Sequence, residues 1–319
     1  MAPPSRVGRP LVAVVIVNWN GWHLLDACLA SVREQHPSPD RVIVVDNGST
    51  DGSLAKLEAR WPDVVALDAG SNLGFSGGNN LGIRDALAAG ADHVLLLNND
   101  AQLLPGALGE LLAALAEAGP AVWAAAPKIL YRATPDVIWS AGGRFDWWRG
   151  LSIDRGADEL DQGQYDQPEL MEFANACCLL VRARIFRELG FLDEAYFMYF
   201  EDSELAARAE RTGARVAYQP AARVLHDVQA SSGGADGGPS PAALYYWTRN
   251  RCRFIRRNVR GPVRRLAAHT YVIGSRVVRM VQAARAGRPQ DARLVGRALV
   301  DAYVHGATGP RSTPPVRLP

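Results

Sequence analysis

The sequence predicts an open, doubly wound α/β sheet with helices on both faces, followed by a basic helical extension. Three observations lead there. Four apolar runs, LVAVVIV (11–17), RVIVVD (41–46), VVALD (64–68) and HVLLLNND (93–100), are separated by stretches of helical periodicity. Runs that are apolar at nearly every position suit strands buried on both faces, as in a parallel sheet, and strict β-α-β-α order puts helices on both sides of it. Charge is divided as well. Residues 241–319 carry 16 arginines against Asp291 and Asp301, a net of +14 in a chain of net +2, which leaves −12 on the first 240 residues.

With 319 residues, 48% of them hydrophobic and 21% charged, the chain can bury a large core. The run at 11–17 follows the basic stretch MAPPSRVGRP but ends in NWNGW. That end lacks a small-residue cleavage site, so the run reads as a first strand rather than a leader. No stretch reaches the roughly 18 apolar residues needed to cross a bilayer. Leu24, Leu25, Cys28, Leu29 and Val32 share one helical face, Ser49 or Asp51 can cap a helix ending at Arg60, and NNLGIRDALAAG reads as a helix stopped by Gly90. Pro105 starts an Ala/Leu-rich helix, and AVWAAAP looks like another strand. WSAGGRFDWW suggests a glycine-turned hairpin, and the polar, aperiodic residues 150–170 suggest a mobile loop. A strand at NACCLLV, a helix at RARIFREL, the aromatic segment EAYFMYF, a helix at EDSELAARAERTG and a strand at RVAYQP complete this part. SSGGADGGPSP (231–241) reads as a linker. The cysteines Cys28, Cys177, Cys178 and Cys252 form no CxxC pair, which disfavours a zinc site and fits a reducing cytoplasm.

Ligands of open α/β sheets bind beyond the carboxyl ends of the strands, where strand order reverses. Polar residues gather at those ends: Asn18, Trp19 and Asn20; Asp46 to Ser49; Asn72 to Gly78; and Asn98, Asn99 and Asp100. Each group has a plainer reading, DNGSTDG as a turn with a helix cap and SNLGFSGGNNLG as a flexible loop. A nicotinamide dehydrogenase is disfavoured, because VIVNWNG offers one glycine where that chemistry needs GxGxxG.

VVIVNWNG, VVDNGSTDGS, SNLGFSGGNNLG, LLLNND, GFLDEAYFMYFEDSELAAR and a later histidine together resemble family 2 of the inverting glycosyltransferases, in particular its rhamnosyltransferase-like branch. The resemblance spans roughly residues 11–255 in the right order. It implies a GT-A fold with a Rossmann-like mixed sheet, a nucleotide-diphospho-sugar donor and a divalent cation, Mg²⁺ or Mn²⁺. The implied organisation is a disordered N-terminus (1–10), a catalytic domain (11–240) with a nucleotide-sugar half (11–104) and an acceptor half (105–240), and the basic helical region (241–319).

The resemblance also assigns roles. Asp100 would hold the cation, with His226 as a second ligand to the metal or diphosphate; the family's usual D-x-D is here Asn98-Asn99-Asp100, so one carboxylate is replaced by an amide. Asn98 would instead bond the donor ribose. Asp46 would accept from the N3–H of a uracil or thymine ring, Asn18 would sit beside it at the end of the first strand, and Trp19 would pack on that base. Asn72 and Gly74 would let backbone approach ribose and phosphates, Gly77 and Gly78 serving loop geometry only. Asp202 would be the catalytic base, sharpened by Phe197, Tyr199 and Phe200 around it. Glu201 is the substitute, and Asp193 and Glu194 would line the acceptor side. Against these stand a helix cap for Asp100, plain core for Trp19, a structural histidine, and for Arg208 either a phosphate or an i,i+4 pair with Glu204.

From Tyr245 onward arginines alternate with aromatic and aliphatic residues. This region reads either as amphipathic helices lying peripherally on an anionic cytoplasmic membrane surface, or as a basic hairpin packed on the acidic domain or on a second subunit of a homodimer. No motif supports a nucleic-acid partner. The function expected is transfer of a sugar, foremost rhamnose from dTDP-rhamnose, onto a glycan or polyprenyl-linked acceptor in cell-envelope assembly. The alternatives are a catalytically weak nucleotide-sugar-binding subunit, another donor (UDP- or GDP-sugar) on a small acceptor, and a nucleotidyltransferase, against which NWNGW argues.

Overall fold

The computed structural model describes residues 9–228 and 239–304. The expected disordered N-terminus and glycine-rich linker, and the end of the basic region, lie almost wholly outside these. Strands β1 (Val12–Asn18), β2 (Arg41–Asp46), β3 (Val65–Asp68) and β4 (His93–Asn98) alternate with helices α1 (Trp22–Arg33), α2 (Ser53–Arg60) and α3 (Gly74–Ala88). There follow β5 (Ala101–Leu103), α4 (Ala107–Glu117), β6 (Val122–Tyr131), β7 (Ile138–Ser140), β8 (Gly143–Asp146), β9 (Leu151–Asp154), β10 (Glu169–Met171), β11 (Cys178–Arg182), α5 (Arg184–Glu188), α6 (Glu201–Glu210) and β12 (Arg215–His226). Helices α7 (Pro241–Asn258), α8 (Pro262–Arg285) and α9 (Pro289–Tyr303) form the extension.

The main sheet runs β10-β12-β6-β11-β4-β1-β2-β3, with β5 on β12 and β7 on β6. Strands β3, β2, β1 and β4 are mutually parallel, and β11 is antiparallel to β4 and β6, so the sheet is mixed. The apolar runs are explained by burial on two sides. Ala13 and Val15 enter one core with Ile83, Leu205 and Ala206. Val12, Val14 and Ile16 enter the opposite core with Leu25, Leu57 and Leu108. Every second side chain thus meets a different helical layer, and no position can be polar.

Several expectations are corrected here. The glycine-turned hairpin does not form, because Ile138–Ser140 pairs with β6 while β8 turns through 147–150 to pair with β9. Residues 150–170 are not a free loop. They hold β9 and β10, and the segment between is fastened by the fully buried Lys128, which is paired with Asp161 at 2.8 Å and with Asp166. SNLGFSGG is not a loop either: α3 starts at Gly74, so Gly77 and Gly78 are helical. A Cβ on Gly78 would stand 2.8 Å from a Val17 methyl, so this glycine lets α3 lie directly on β1.

Candidate active site

β1 sits between β2 and β4, so strand order reverses between β1 and β4, and the carboxyl ends of β1, β2, β4 and β12 open on one edge. Side chains tie these ends together. Asn99 Nδ2 donates to Asn18 Oδ1 at 2.9 Å across the reversal, and Ser49 Oγ receives the Asn20 amide at 2.9 Å. Asp46 Oδ1 accepts from the Ser49 amide at 2.8 Å. Its Oδ2 is buried with no hydrogen-bond partner among the described residues. The plain turn explains half of this carboxylate and leaves the other oxygen unused. Trp19 is half-buried at the strand end rather than part of the core.

Asp100 follows β4 in the turn to β5, and the pairing of His226 with Ala101 brings the two residues side by side. His226 Nε2 lies 3.2 Å from Asp100 Oδ1, and both residues are buried. The Asp227 amide bonds the Asp100 carbonyl at 3.0 Å, and the Trp139 ring meets the imidazole edge-on, centroids 4.4 Å apart. Asp100 is not a helix cap: α4 starts beyond it, behind Gly106. A carboxylate and an imidazole held at this distance offer two donors to a divalent cation. Among the described residues no group of three or more His, Cys, Asp or Glu side chains is arranged to hold a metal. The pair could supply two ligands to a cation, whose others would have to come from a bound molecule or water.

Asp202 opens α6 on the same edge. Its Oδ1 accepts from the Ser203 amide at 2.6 Å and its Oδ2 from the Ala176 amide at 3.4 Å. The neighbouring Cys177 carbonyl receives the Asn98 amide at 2.8 Å, so one short segment, 175–177, joins the Asp202 carboxylate to the end of β4. Burial raises the Asp202 pKa to about 6; the Ser203 amide pulls the other way and the charge of Asp154 adds to the rise. Glu201 is raised well above the ordinary range, by burial and then by Asp202, and its Oε2 is buried without a partner among the described residues. Of the two, Asp202 ionises the more readily, since burial and the charge of Asp202 both push Glu201 upward.

Other candidates have structural employment. Asn72 Oδ1 accepts from Asn47 and from the Gly74 amide at 3.1 and 2.8 Å, shaping the turn into α3. Gly74, at φ +74°, faces the Phe197 backbone, which a Cβ would strike. Asp193 is paired with Arg253 at 2.8 Å, and Glu194 accepts from Asn80 at 2.9 Å, so both brace the segment that leads to Glu201. Arg208 pairs with Glu204 at 2.8 Å and donates to the carbonyls of Leu189, Gly190 and Phe191, which settles it as an internal brace rather than a phosphate ligand.

Two contributors escape sequence reasoning. Asp154, with its pKa raised by burial, accepts from Ser140 at 2.7 Å and Asn175 at 3.0 Å and acts electrostatically on Asp202. The period-two burial expected of a strand is absent from LSID, which is why the acid read as loop polarity. The other is Asn250 of α7. Its amide donates to the carbonyls of Tyr196, Met198 and Tyr199 at 2.8, 2.8 and 2.9 Å. Arg249 reaches the Ala195 and Tyr196 carbonyls. These bonds hold a segment in which Phe197, Tyr199 and Phe200 all have positive φ, directly before Glu201 and Asp202. The packed reading of the basic region holds for α7, with Phe254 stacked near Phe145 and Trp147, and α8 meets the domain along one side, at residues 147–150.

The mixed sheet, the reversal-point crevice and the carboxylates at its rim are what the resemblance to GT-A glycosyltransferases implies. The sequence profile described as Glycosyl transferase family 2 matches residues 13–190, more than half of the chain, and the chain belongs to that family. It is similar, at 31% identity over 247 residues, to the N-acetylglucosaminyl-diphospho-decaprenol L-rhamnosyltransferase of Mycobacterium tuberculosis (H37Rv), covering 70% of this chain and 78% of that one. The low-salt glycan biosynthesis hexosyltransferase of Haloferax volcanii is 27% identical over 58% of each. The chain is rhamnosyltransferase-like within its family. Among solved structures, the mannosyltransferase PcManGT of Pyrobaculum calidifontis, in complex with GDP-Man and Mn²⁺, superposes with a TM-score of 0.58 at 16% identity, covering 94% of this chain and 89% of that one. GalNAc-T7 with UDP, GalNAc and Mn²⁺ gives 0.57 at 18%, covering 68% of this chain, which spans 43% of its length.

Proposed function

We propose that this chain is an inverting, metal-dependent rhamnosyltransferase that moves rhamnose from dTDP-rhamnose onto a polyprenyl-diphosphate-linked glycan at an anionic membrane surface, as a step in cell-envelope polysaccharide assembly. The observation that carries the reading is a group of unused buried polar atoms around the reversal-point crevice. Asp46 Oδ2, Ser76 Oγ, Asn98 Oδ1 and Glu201 Oε2 are buried without hydrogen-bond partners among the described residues. Natural proteins rarely leave such groups unpaired except where water, an ion, a ligand or a catalytic role accounts for them. The rhamnosyltransferase of M. tuberculosis, named for a diphospho-decaprenol acceptor, supports the donor sugar and acceptor class. The Mn²⁺ in both solved relatives supports a cation. Four free, buried cysteines suit a reducing cytoplasm.

In this reading Asp46 Oδ2 accepts the N3–H of the thymine ring while Trp19 packs against it, and Asn18 keeps the two strand ends in register. Asn98 bonds the ribose, and Asn72 and Gly74 fix the turn that faces the diphosphate. Asp100 and His226 would hold the cation, which when bound neutralises charge developing on the leaving diphosphate. An imidazole beside a single carboxylate favours Mn²⁺ over Mg²⁺, because Mg²⁺ prefers an all-oxygen shell. Asp202 takes the proton of the acceptor hydroxyl as that oxygen bonds to the anomeric carbon and the glycosyl–phosphate bond breaks on the opposite face. A base of pKa about 6 is ionised at neutral pH yet basic enough to share the proton in the transition state.

The test is nucleotide release from a panel of donors with Mn²⁺ and a polyprenyl-diphosphate-linked acceptor, beside calorimetric donor binding. Asp202→Asn should abolish release and leave donor affinity intact, whereas Asp100→Ala should weaken metal-dependent donor binding. Donor binding without turnover, indifferent to Asp202→Asn, would instead identify a nucleotide-sugar-binding subunit.

A further inference from the structure

Helix α8 is amphipathic in the inverse of the usual sense. Its side toward the protein buries only Ala268, Val272 and Ala283. Val263, Leu266, Ile273, Val277, Val278 and Val281 are each 41–69% exposed. At 100° per residue these six fall within an arc of about 140° centred opposite the buried alanines, so they form one outward stripe along the helix. Arg285 falls within that arc near the end of the helix, Arg264 about 40° outside it, and Arg265, Arg276 and Arg279 on the opposite side; α8 has no acidic residue. The acids of the extension are engaged elsewhere: Asp301 accepts from the Tyr245 hydroxyl at 2.6 Å, and Asp291 lies 3.7 Å from Arg288. Aromatic rings border one flank. Trp148, 54% exposed, lies under the Arg264 guanidinium at 5.5 Å, and Tyr271 lies under Arg149 and Arg251, each at 5.2 Å.

We infer that the outward stripe of α8 is the surface by which the protein lies on an anionic lipid bilayer, its aliphatic side chains in the acyl boundary and the net positive charge of the extension drawn to lipid phosphates. The inference deepens the membrane reading above and names the face that makes the contact. The helix lies flat, since no helix among the described residues is long and apolar enough to cross a membrane. An apolar helix face in a strongly basic region, with a Trp at its edge, is what the headgroup region selects. A second copy is the weaker occupant on electrostatic grounds. A twofold contact through α8 would set two regions of net +14 against each other with no acid on either helix to offset them. Lipid phosphates supply the missing counter-charge.

The experiment is co-sedimentation of the full chain with vesicles of phosphatidylcholine alone or with 30–40% (about one lipid in three) phosphatidylglycerol, the anionic fraction setting the surface potential. The parent should bind anionic vesicles at least about tenfold better than neutral ones, less so as salt rises. Val277→Glu with Val281→Glu should lower that binding by at least about tenfold, with an unchanged thermal melt showing that the fold is intact. Asp202→Asn should bind vesicles like the parent, so failure here and failure of the catalytic reading are separable. In the unsubstituted protein, brominated lipids should quench a fluorescence component that Trp148→Phe removes. Equal binding of parent and double variant, absence of binding to anionic vesicles, or a dimer in solution that the double variant dissociates would each overturn the assignment.

Discussion

Replacing Asn250 with alanine removes the one side-chain amide that serves the carbonyls of Tyr196, Met198 and Tyr199. Two N–H groups supply these three contacts, so the loss amounts to about two hydrogen bonds, and a buried carbonyl left unsatisfied costs about 1–3 kcal/mol. A total of about 3 kcal/mol is a central figure. The segment it acts on is strained: Phe197, Tyr199 and Phe200 hold φ of 66°, 66° and 73°, and left-handed backbone costs about 1–2 kcal/mol per non-glycine residue. Bonds from Asn250 and Arg249 offset that strain, and without the first the segment gains access to relaxed conformations that misdirect Asp202. At about 1.4 kcal/mol per factor of ten, the turnover number should fall by one to two orders of magnitude, with a smaller effect on donor KM, because the Asn250 bonds go to residues 196–199. The assay is nucleotide release at saturating donor, paired with a thermal melt expected to drop by about 5–10 °C. Turnover within threefold of the parent would refute a positioning role even if the melt fell, and an unchanged melt would refute the energetic argument as well.

Other predictions follow from the carboxylates and the buried lysine. The rate should rise with pH through about 6 as Asp202 ionises. Asp154→Asn removes a neighbouring negative charge, so ionised Asp202 becomes easier to form and this limb of the pH–rate profile should move to lower pH. The Asp202 pKa is raised from the ordinary 3.8 to about 6, so the folded state holds this proton more tightly than the unfolded one. Its stabilising contribution is complete below about 4 and lost as pH rises through 6. Asp202→Asn should accordingly melt higher than the parent at pH 7.5 and gain nothing at pH 4, and the reverse order would contradict the assigned burial. Lys128→Met leaves Asp161 facing Arg223 alone, and breaking a buried pair from one side costs about 3 kcal/mol or more. Denaturant titration should register that loss, and limited proteolysis should open new cuts between residues 155 and 168.

The sequence alone was sufficient for the central strands and for most of the helices around them, because the physics there is local. β1, β2 and β4 are buried on both faces and so are apolar at nearly every position, and Leu24, Leu25, Cys28, Leu29 and Val32 mark one side of α1, as their burial bears out. The polar strand ends were equally legible, since an apolar strand finishing in Asn18, Asp46 or Asn98-Asn99-Asp100 has no local reason to do so. Tertiary structure decided what depends on partners distant in the chain. The Asp100–His226 pair exists through the β5–β12 ladder, and the fastening of residues 155–168 depends on Lys128, a strand residue. The acidity of Asp202 is set by burial and by Asp154, 48 positions away in the sequence. Composition told that the extension was basic. It did not say that α7 would turn its arginines and Asn250 inward on the catalytic segment while α8 turned its valines outward. Helical periodicity fixes which residues share a face, and only packing fixes which way that face points.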